Sequence, residues 1–311
     1  MMDVWRDLGD LNFSEMTLRG FAETRKGAKR RRYMEAVDEL EQFGDRPARA
    51  KVSAFIKIEK WSEEATTRKA PRMIQFRHPC YTARVGAKLA PLEEALWERA
   101  TQNGKRVFAK GLNSYQVAEE LRSRWEMFDQ PVAILKDFSK FDSCILKAWI
   151  EAEEWFYSQF VDMEDLMKDQ LENVCYTKNG VRYTCSGRKM SGEYNTSLGD
   201  SLINYAATKR AMRRLGIPDH AWYPFINGDD DVIIMDAKYL STTFVERLVE
   251  ALKTLGFSTE VEVVKEFEKV SFCQSQPVEV DEGVWRMVRE PIRAMSRSAY
   301  SVRKYGGKAW N

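Results

Sequence analysis

Histidine is nearly absent from this chain, with two residues in 311, His78 and His220. So small a supply excludes a poly-histidine metal site and argues against a histidine-based nucleophilic triad. Cysteine is sparse as well. The five, at positions 80, 144, 175, 185 and 273, are odd in number and hold no C-x-x-C pair, so neither a disulfide framework nor a zinc site is expected, and a reducing compartment is the default. No apolar run approaches the ~18–20 residues of a membrane span. The opening MMDVWRDLGD lacks the apolar stretch of a secretory signal. Internal repeats and low-complexity segments are missing too. Net charge is close to zero, +2 from 49 basic and 47 acidic residues, so charge informs only once it is mapped. Hydrophobic residues make up 44%, enough for a sizeable core, which excludes a disordered chain and suits one large domain or two to three subdomains. Enzymatic chemistry, if present, falls to carboxylates and basic side chains.

The charges are unevenly spread. Arg19, Arg25, Lys26, Lys29, Arg30, Arg31 and Arg32 form one basic run, and Arg286, Arg289, Arg293, Arg297, Arg303 and Lys304 form another. Between them lies an acidic stretch from Glu151 to Glu172. Each run reads either as a solvated face or as part of a surface for a polyanion. From Lys57 to Lys88, cations alternate with apolar and aromatic residues, as on an extended ribbon offered to phosphates.

The hydrophobic periods predict helices over 33–43, 91–100 (with Pro91 in its first turn), 115–128 (capped by Asn113 or Ser114), 143–160, 194–214 and 239–255. Strands are predicted over 51–58, 131–138, 222–226, 231–235, 257–264 and 269–280, with a hairpin arm at 179–187. The order from Pro131 onward is an α+β layout, a small antiparallel sheet backed by helices.

Two of these strand ends carry aspartates. One is KDFSKFD, with Asp137 and Asp142; the other is the turn Asn227-Gly228-Asp229-Asp230, set between the apolar strands WYPFI and DVIIM. Asn-Gly-Asp-Asp is ordinary turn chemistry. Yet apolar strands that deliver carboxylates to one edge need something to neutralise them. All-oxygen donors without histidine or cysteine point to Mg²⁺ or Mn²⁺. Two such ions ~3.5–4 Å apart are the arrangement for in-line phosphoryl transfer.

Taken in order, these residues resemble the catalytic core of a viral RNA-dependent RNA polymerase of the positive-strand, tombusvirus-like kind, over roughly Lys51 to the C-terminus. The first motif, D-x4-D, is matched by Asp137 and Asp142. The second, S-G-x3-T-x3-N, is matched by Ser191, Gly192 and Thr196. The third, G-D-D, is matched by Gly228, Asp229 and Asp230. ALKTLGF carries the basic residue of a fourth, Lys253. FCQSQPV resembles a primer-grip turn with Phe272, Cys273 and Gln274. AFIKIEK and KAPRMIQFR supply Lys57, Glu59, Lys69, Arg72 and Arg77. One position departs: Asp200 stands where the family has asparagine.

The resemblance implies two Mg²⁺ (or Mn²⁺) ions held by Asp137 and Asp229, with Asp230 auxiliary. It implies Lys253 as the proton donor to pyrophosphate. Lys57, Lys69, Arg72, Arg77, Asp142, Ser191, Gly192, Thr196 and Asp200 would face the nucleotide. Phe272, Cys273 and Gln274 would face the RNA, with Cys273 a packing residue and not a nucleophile. Asp142 and Asp200 would read the ribose 2′-hydroxyl, Asp200 accepting it directly, with Asn204 one helical turn further along. Ser191-Gly192 would be a flexible loop in which glycine allows unusual backbone angles. The implied partners are an RNA template, nascent RNA, NTPs and other viral replication proteins, in a membrane-associated replication complex of the host cytoplasm reached through partners. The implied fold is a right hand: a basic N-terminal segment 1–32, fingers 33–128 with an insertion 146–187, a palm 129–145 and 188–280 built on a ferredoxin-like antiparallel sheet, and a partial thumb 281–311. So short a thumb suits a minimal or trimmed polymerase. The other readings are a reverse transcriptase, a non-catalytic RNA-binding accessory and a nucleotide cyclase.

Overall fold

The apolar run PVAILKDF forms a strand because its alternate residues find two different cores. Val132, Ile134 and Phe138 pack into one hydrophobic cluster, and Ala133 and Leu135 into another. A computed structural model describes residues 1–8, 11–60, 70–163 and 165–298. Its strands are β1 (Val52–Ile56), β2 (Met73–Arg77), β3 (Thr101–Gln102), β4 (Lys105–Arg106), β5 (Pro131–Phe138), β6 (Glu172–Thr177), β7 (Arg182–Ser186), β8 (Trp222–Asn227), β9 (Asp230–Asp236), β10 (Thr259–Val264), β11 (Ser275–Asp281) and β12 (Val284–Arg289). The fold is mixed α/β with several sheets. One four-stranded sheet has the order β2-β1-β6-β7 and a second the order β10-β5-β9-β8; β3-β4 and β11-β12 are two-stranded.

The second sheet is antiparallel throughout. Helices Thr196–Arg214 and Phe244–Lys253 cover the face that carries Ile134, Ile233 and Met235. Helix Ser114–Trp125 and the β11–β12 hairpin cover the face that carries Ala133, Val232 and Ile234. The Ser114–Trp125 helix starts on a full capping box, in which Asn113 accepts from the Gln116 amide and Gln116 accepts from the Asn113 amide.

Several boundaries differ from those expected. The helix predicted to start at Pro91 runs from Pro79 to Arg99 with Pro91 inside it; the buried Val85, Leu89, Leu92 and Leu96 outweigh the hydrogen bond that proline cannot make. The helix expected from Tyr33 begins at Gly27. The segment expected as one helix over 143–160 is a short turn, Phe141–Cys144, and a helix, Lys147–Ser158. The strand expected from residue 269 begins at Ser275, after a 3-10 turn at Phe267–Lys269. The first residues do not stand apart as a basic segment. Val4, Leu8 and Leu11 lie in the main core, and Phe21 fills a space that only Gly86 leaves, since a β-carbon there would come within 2.3 Å of its ring.

Candidate active site

Period-two alternation decides where the acids go. Even-numbered Lys136 points to the helix-covered face of β5, while Asp137 points to the other. On the antiparallel neighbour β9, Asp231 pairs across from Lys136, and extending that register by one residue sets Asp137 opposite Asp230. Asp229 occupies the turn between β8 and β9. Gly228 has φ +71 there, the pattern of a two-residue turn with glycine first. Asp137, Asp229 and Asp230 therefore meet at one sheet edge, open to solvent. Crowding by protein raises the Asp229 carboxyl above the usual range, and Asp142 and Asp137 add to the rise. Desolvation and then Asp229 do the same to Asp230. Arg72 acts on Asp229 from a distance and Arg293, in helix Pro291–Ser298, on Asp230.

Three carboxylates at one edge, two of them raised by burial and by neighbouring acids, are a donor set suited to a hard divalent cation. Their oxygens do not all lie within 4.8 Å of one another. Among the described residues, only Glu39, His78 and Cys80 meet that distance. In that second cluster Arg49 pairs with Glu39 at 2.6 Å, and His78 Nδ1 accepts the Cys80 amide at 3.3 Å.

The turn is held from behind by groups that the motifs do not contain. Ser201 Oγ accepts from the Gly228 amide at 2.9 Å, and Asn204 Nδ2 donates to the Gly228 carbonyl at 3.0 Å and the Asp229 carbonyl at 3.3 Å. Asn204 thus fixes backbone rather than assisting at the ribose. Lys136, wholly buried with Asp231, lies 2.8 Å from its Oδ2 and also donates to Asn204 and Thr208. The signal for these residues was a polar stripe, 200, 201, 204 and 208, at helical spacing among the apolar residues of the helix's first three turns.

Beside the turn, Asp142 faces Asp200 from the helix. Lys189 Nζ lies 3.5 Å from Asp200 Oδ1 and 2.8 Å from Glu153 Oε2. Burial pushes the Asp200 carboxyl well above the usual range, with Lys189 pulling against the rise and Asp142 adding to it.

The basic residues divide. Arg72, 67% exposed at its side chain, holds Glu59 in a two-pronged ion pair with one arm at 2.7 Å, and Lys57 Nζ lies 3.3 Å from the same carboxylate. The Arg72 guanidinium, with Lys57 behind it, holds Glu59 down to about 2. Arg77 is not available to a nucleotide. It is buried, paired with Glu193 at 2.6 Å, and its remaining N–H groups go to Asn173 and to the Ala50 and Asp169 carbonyls. It ties β2 to the loop before the long helix. Lys69 lies outside the described residues. Lys253 ends its helix 73% exposed, 3.8 Å from Glu250 Oε2, and no described hydrogen bond or ion pair joins it to the aspartates.

Ser191 and Gly192 are pinned rather than loose. Ser191 Oγ donates to the Met73 carbonyl at 3.1 Å, and the Gly192 amide donates to the Gln75 carbonyl at 2.8 Å. Glycine is required for closeness, since a β-carbon would sit 2.5 Å from the Gln75 oxygen, and not for an unusual angle. Thr196 Oγ1 donates to the Met190 carbonyl at 3.1 Å and closes that loop. The Phe272–Ser275 turn reaches the acids from the other face. Cys273 and Gln274 both have positive φ, +48 and +62, and Phe272 and Ser275 exchange both backbone hydrogen bonds, which makes a type I′ turn. Cys273 Sγ accepts from Asn227 Nδ2 at 3.2 Å, and its thiol contacts Asp230; burial pushes that thiol up to about 12, which leaves no nucleophile.

Known proteins carry the same pattern. A family model described as viral RNA dependent RNA polymerase matches residues 3–309, so the likeness begins well before Lys51. The RNA-directed RNA polymerase of Groundnut rosette virus (strain MC1) is 36% identical over 288 residues, which cover 89% of this chain and 33% of that protein. That of Tobacco necrosis virus (strain D) is 34% identical over 300 residues, 93% of this chain and 41% of that protein. That of Tomato bushy stunt virus (strain Cherry) is 34% identical over 295 residues, 91% and 35% respectively. The chain spans between 33% and 41% of the length of these relatives. With a match that takes in both aspartate-bearing strands and nearly every residue between the termini, this chain belongs to the viral RNA-dependent RNA polymerases.

Proposed function

We propose that the chain carries the nucleotide-adding centre of an RNA-directed RNA polymerase, which copies an RNA template from NTPs and releases pyrophosphate during viral replication. The observation that carries this reading is the meeting of Asp137 with Asp229 and Asp230 at one sheet edge, beside the Asp142–Asp200 pair. Asp137 and Asp229 would hold two divalent ions, Mg²⁺ or Mn²⁺, with Asp230 auxiliary. Bound there, the ions supply a lowered pKa for an attacking 3′-hydroxyl and charge for the leaving pyrophosphate. Arg72 and Lys57 exchange Glu59 for the triphosphate, an exchange their exposure permits. Asp142 accepts the ribose hydroxyl. The Phe272–Ser275 turn supports the primer end from the β11–β12 side. Lys253 has a basic side chain exposed to solvent for the proton-donor role, which requires its loop to approach the acids.

The right-hand division belongs to this proposal. The order β10-β5-β9-β8, with one helix leading into β8 and one into β10, supports a ferredoxin-like palm, with the β2-β1-β6-β7 sheet as fingers. Residues 281–311 would begin a thumb. No helix among the described residues is long and apolar enough to cross a membrane. The localisation proposed is a membrane-associated replication complex of the host cytoplasm, reached through a partner or another segment.

The test is primer extension by this chain with Mg²⁺, comparing NTPs and dNTPs. Asp137→Asn and Asp229→Asn should each lower NTP addition by on the order of a thousandfold or more, with salt-dependent RNA binding retained. Unchanged addition by either variant would refute the assignment, and equal use of dNTPs would favour a reverse transcriptase.

A further inference from the structure

A group of opposite chemistry to the aspartates lies elsewhere in the chain, and its role does not depend on the polymerase reading. Helix Gly27–Phe43 buries Ala36 and Leu40 on one stripe, against the start of helix Pro79–Arg99. Glu39, three positions after Ala36, stands at the rim of that stripe. There it meets Cys80, which belongs to the same small core, and His78, which caps the second helix. One ligand atom of each lies within 4.8 Å of the others. No C-x-x-C spacing announces the group, because Glu39 and Cys80 are 41 positions apart and only the packing of two helices joins them.

The distances and the donor types favour zinc. Cys80 Sγ lies 3.6 Å from Glu39 Oε2. A tetrahedral zinc, with Zn–S about 2.3 Å and Zn–O about 2.0 Å, sets two such atoms about 3.5 Å apart. Thiolate and imidazole select Zn²⁺, whereas Mg²⁺ and Mn²⁺ select oxygen. The bonds already present leave room for it. Arg49 takes Glu39 Oε1 at 2.6 Å and leaves Oε2, which orients the carboxylate as an outer-shell partner does. Asp45, 3.7 Å from Arg49 and also paired with Arg84, offsets the guanidinium charge beside a cation. His78 Nδ1 accepts the Cys80 amide at 3.3 Å, a long bond that a metal at that nitrogen replaces. His78 is exposed and Glu39 half-buried, so an ion reaches the buried Cys80 from solvent. A helix cap, an ion pair and a core cysteine that merely adjoin would account for each residue singly. They would not account for a thiol and a carboxylate spaced as zinc ligands.

We propose that Glu39, His78 and Cys80 bind one Zn²⁺, with water in the fourth position, as a staple between the two helices. Binding replaces the Cys80 thiol proton, which leaves to solvent, so one proton is released for each zinc bound. The staple lies just beyond β2, whose Gln75 and Arg77 hold the loop before the long helix, and it fastens that end of the strand.

The test uses the whole chain with Mg²⁺ in excess, so that all-oxygen sites are filled. Equimolar Co²⁺ should give the near-ultraviolet thiolate-to-cobalt charge-transfer band, which aspartates cannot produce, and Zn²⁺ should abolish it. Cys80→Ser should remove the band and Cys144→Ser should keep it. His78→Asn retains a capping side chain and should weaken Co²⁺ binding at least about tenfold, which decides the matter should the serine variant not fold. Zinc at about a hundred times its Kd should raise the Tm by about 4 °C, and by about half that or less in either variant. None of these readouts needs polymerase activity. Absence of the band, a band that survives Cys80→Ser, an unchanged Co²⁺ affinity in His78→Asn or equal Tm shifts in all the proteins overturns the zinc site.

Discussion

Replacing Lys136 by methionine tests how the acidic edge is supported. Lys136 precedes Asp137 but faces the opposite side of the sheet, with no exposure, 2.8 Å from Asp231 Oδ2. Burial lowers its pKa and raises Asp231 to about 6. Among the described residues neither Asp231 oxygen has a geometrically sound hydrogen bond, so the ammonium is the carboxylate's main compensation. Removing one partner of such a pair costs about 3–5 kcal/mol. Asp231 can escape part of that by taking up a proton, which at pH 7 costs about 1.4 kcal/mol for a group that titrates near 6 and less once the lysine is gone. The lower figure, about 3 kcal/mol, is therefore expected, or about 5 °C in Tm for a chain of this length. Asp231→Leu strands Lys136 on two neutral oxygens, Asn204 Oδ1 and Thr208 Oγ1, and should cost about the same. Lys136→Met/Asp231→Leu removes both charges and should cost about 1 kcal/mol, a coupling of about 5 kcal/mol across the cycle. Thermal melts of the four proteins measure this, with primer extension on each. Asp137 and Asp230 project from the other face, so the double variant should retain NTP addition within about tenfold. If the two single losses simply add, the buried-pair argument fails. If the double variant melts normally but adds no nucleotide, the pair belongs to the chemistry and not to its support.

Close contacts give two further expected outcomes. Gly192→Ala drives a β-carbon to within 2.5 Å of the Gln75 carbonyl and should cost about 1–3 kcal/mol in a melt, because backbone on both sides must move; a neutral result would mean that the Ser191–Gly192 loop is not docked on β2. The Cys273 thiol, raised by burial to about 12, gains reactivity only as pH climbs toward that value. Its alkylation at pH 8, read by peptide mass spectrometry, should be on the order of a thousandfold slower than that of a free cysteine, and rapid labelling would contradict the buried turn.

Much of the acidic edge was legible because strands β5, β8 and β9 are apolar runs bounded by acids and turns, and such runs have few alternatives. What was missed shares one physical cause: a sequence does not show which groups distant parts of the chain bury, bond or crowd. Arg77 read as a cation on an exposed ribbon, yet its partners Asn173 and Glu193 lie 96 and 116 positions away and take it out of solvent. Lys136 carried no reading of its own, though period-two alternation puts it opposite Asp137. Asn204 read as a second hand at the ribose, whereas its amide is spent on the Gly228 and Asp229 carbonyls. Gly192 read as a hinge; the sequence cannot show that β2 approaches too closely for any side chain. Pro91 read as a helix start because proline usually is one, and only the tertiary core overrides that preference.

The helix Thr196–Arg214 explains why these buried groups are arranged as they are. Its first turns carry Asp200 to Asp142, the next carry Ser201 and Asn204 to the turn that bears Asp229, and Thr208 reaches Lys136 beneath it. The loop before it is fastened to β2 by Gly192 and by the Arg77–Glu193 pair, so one rigid element spans the first sheet and the second. Acids that crowd one edge repel each other and are better held from behind than by one another. Holding the Gly228–Asp229 turn from one helix, through backbone carbonyls and a hydroxyl, positions Asp229 without adding charge to the open edge. The cations that compensate from within, Lys136 and Lys189, sit behind the acids rather than beside them, which leaves the solvent side free for groups that arrive with the substrate.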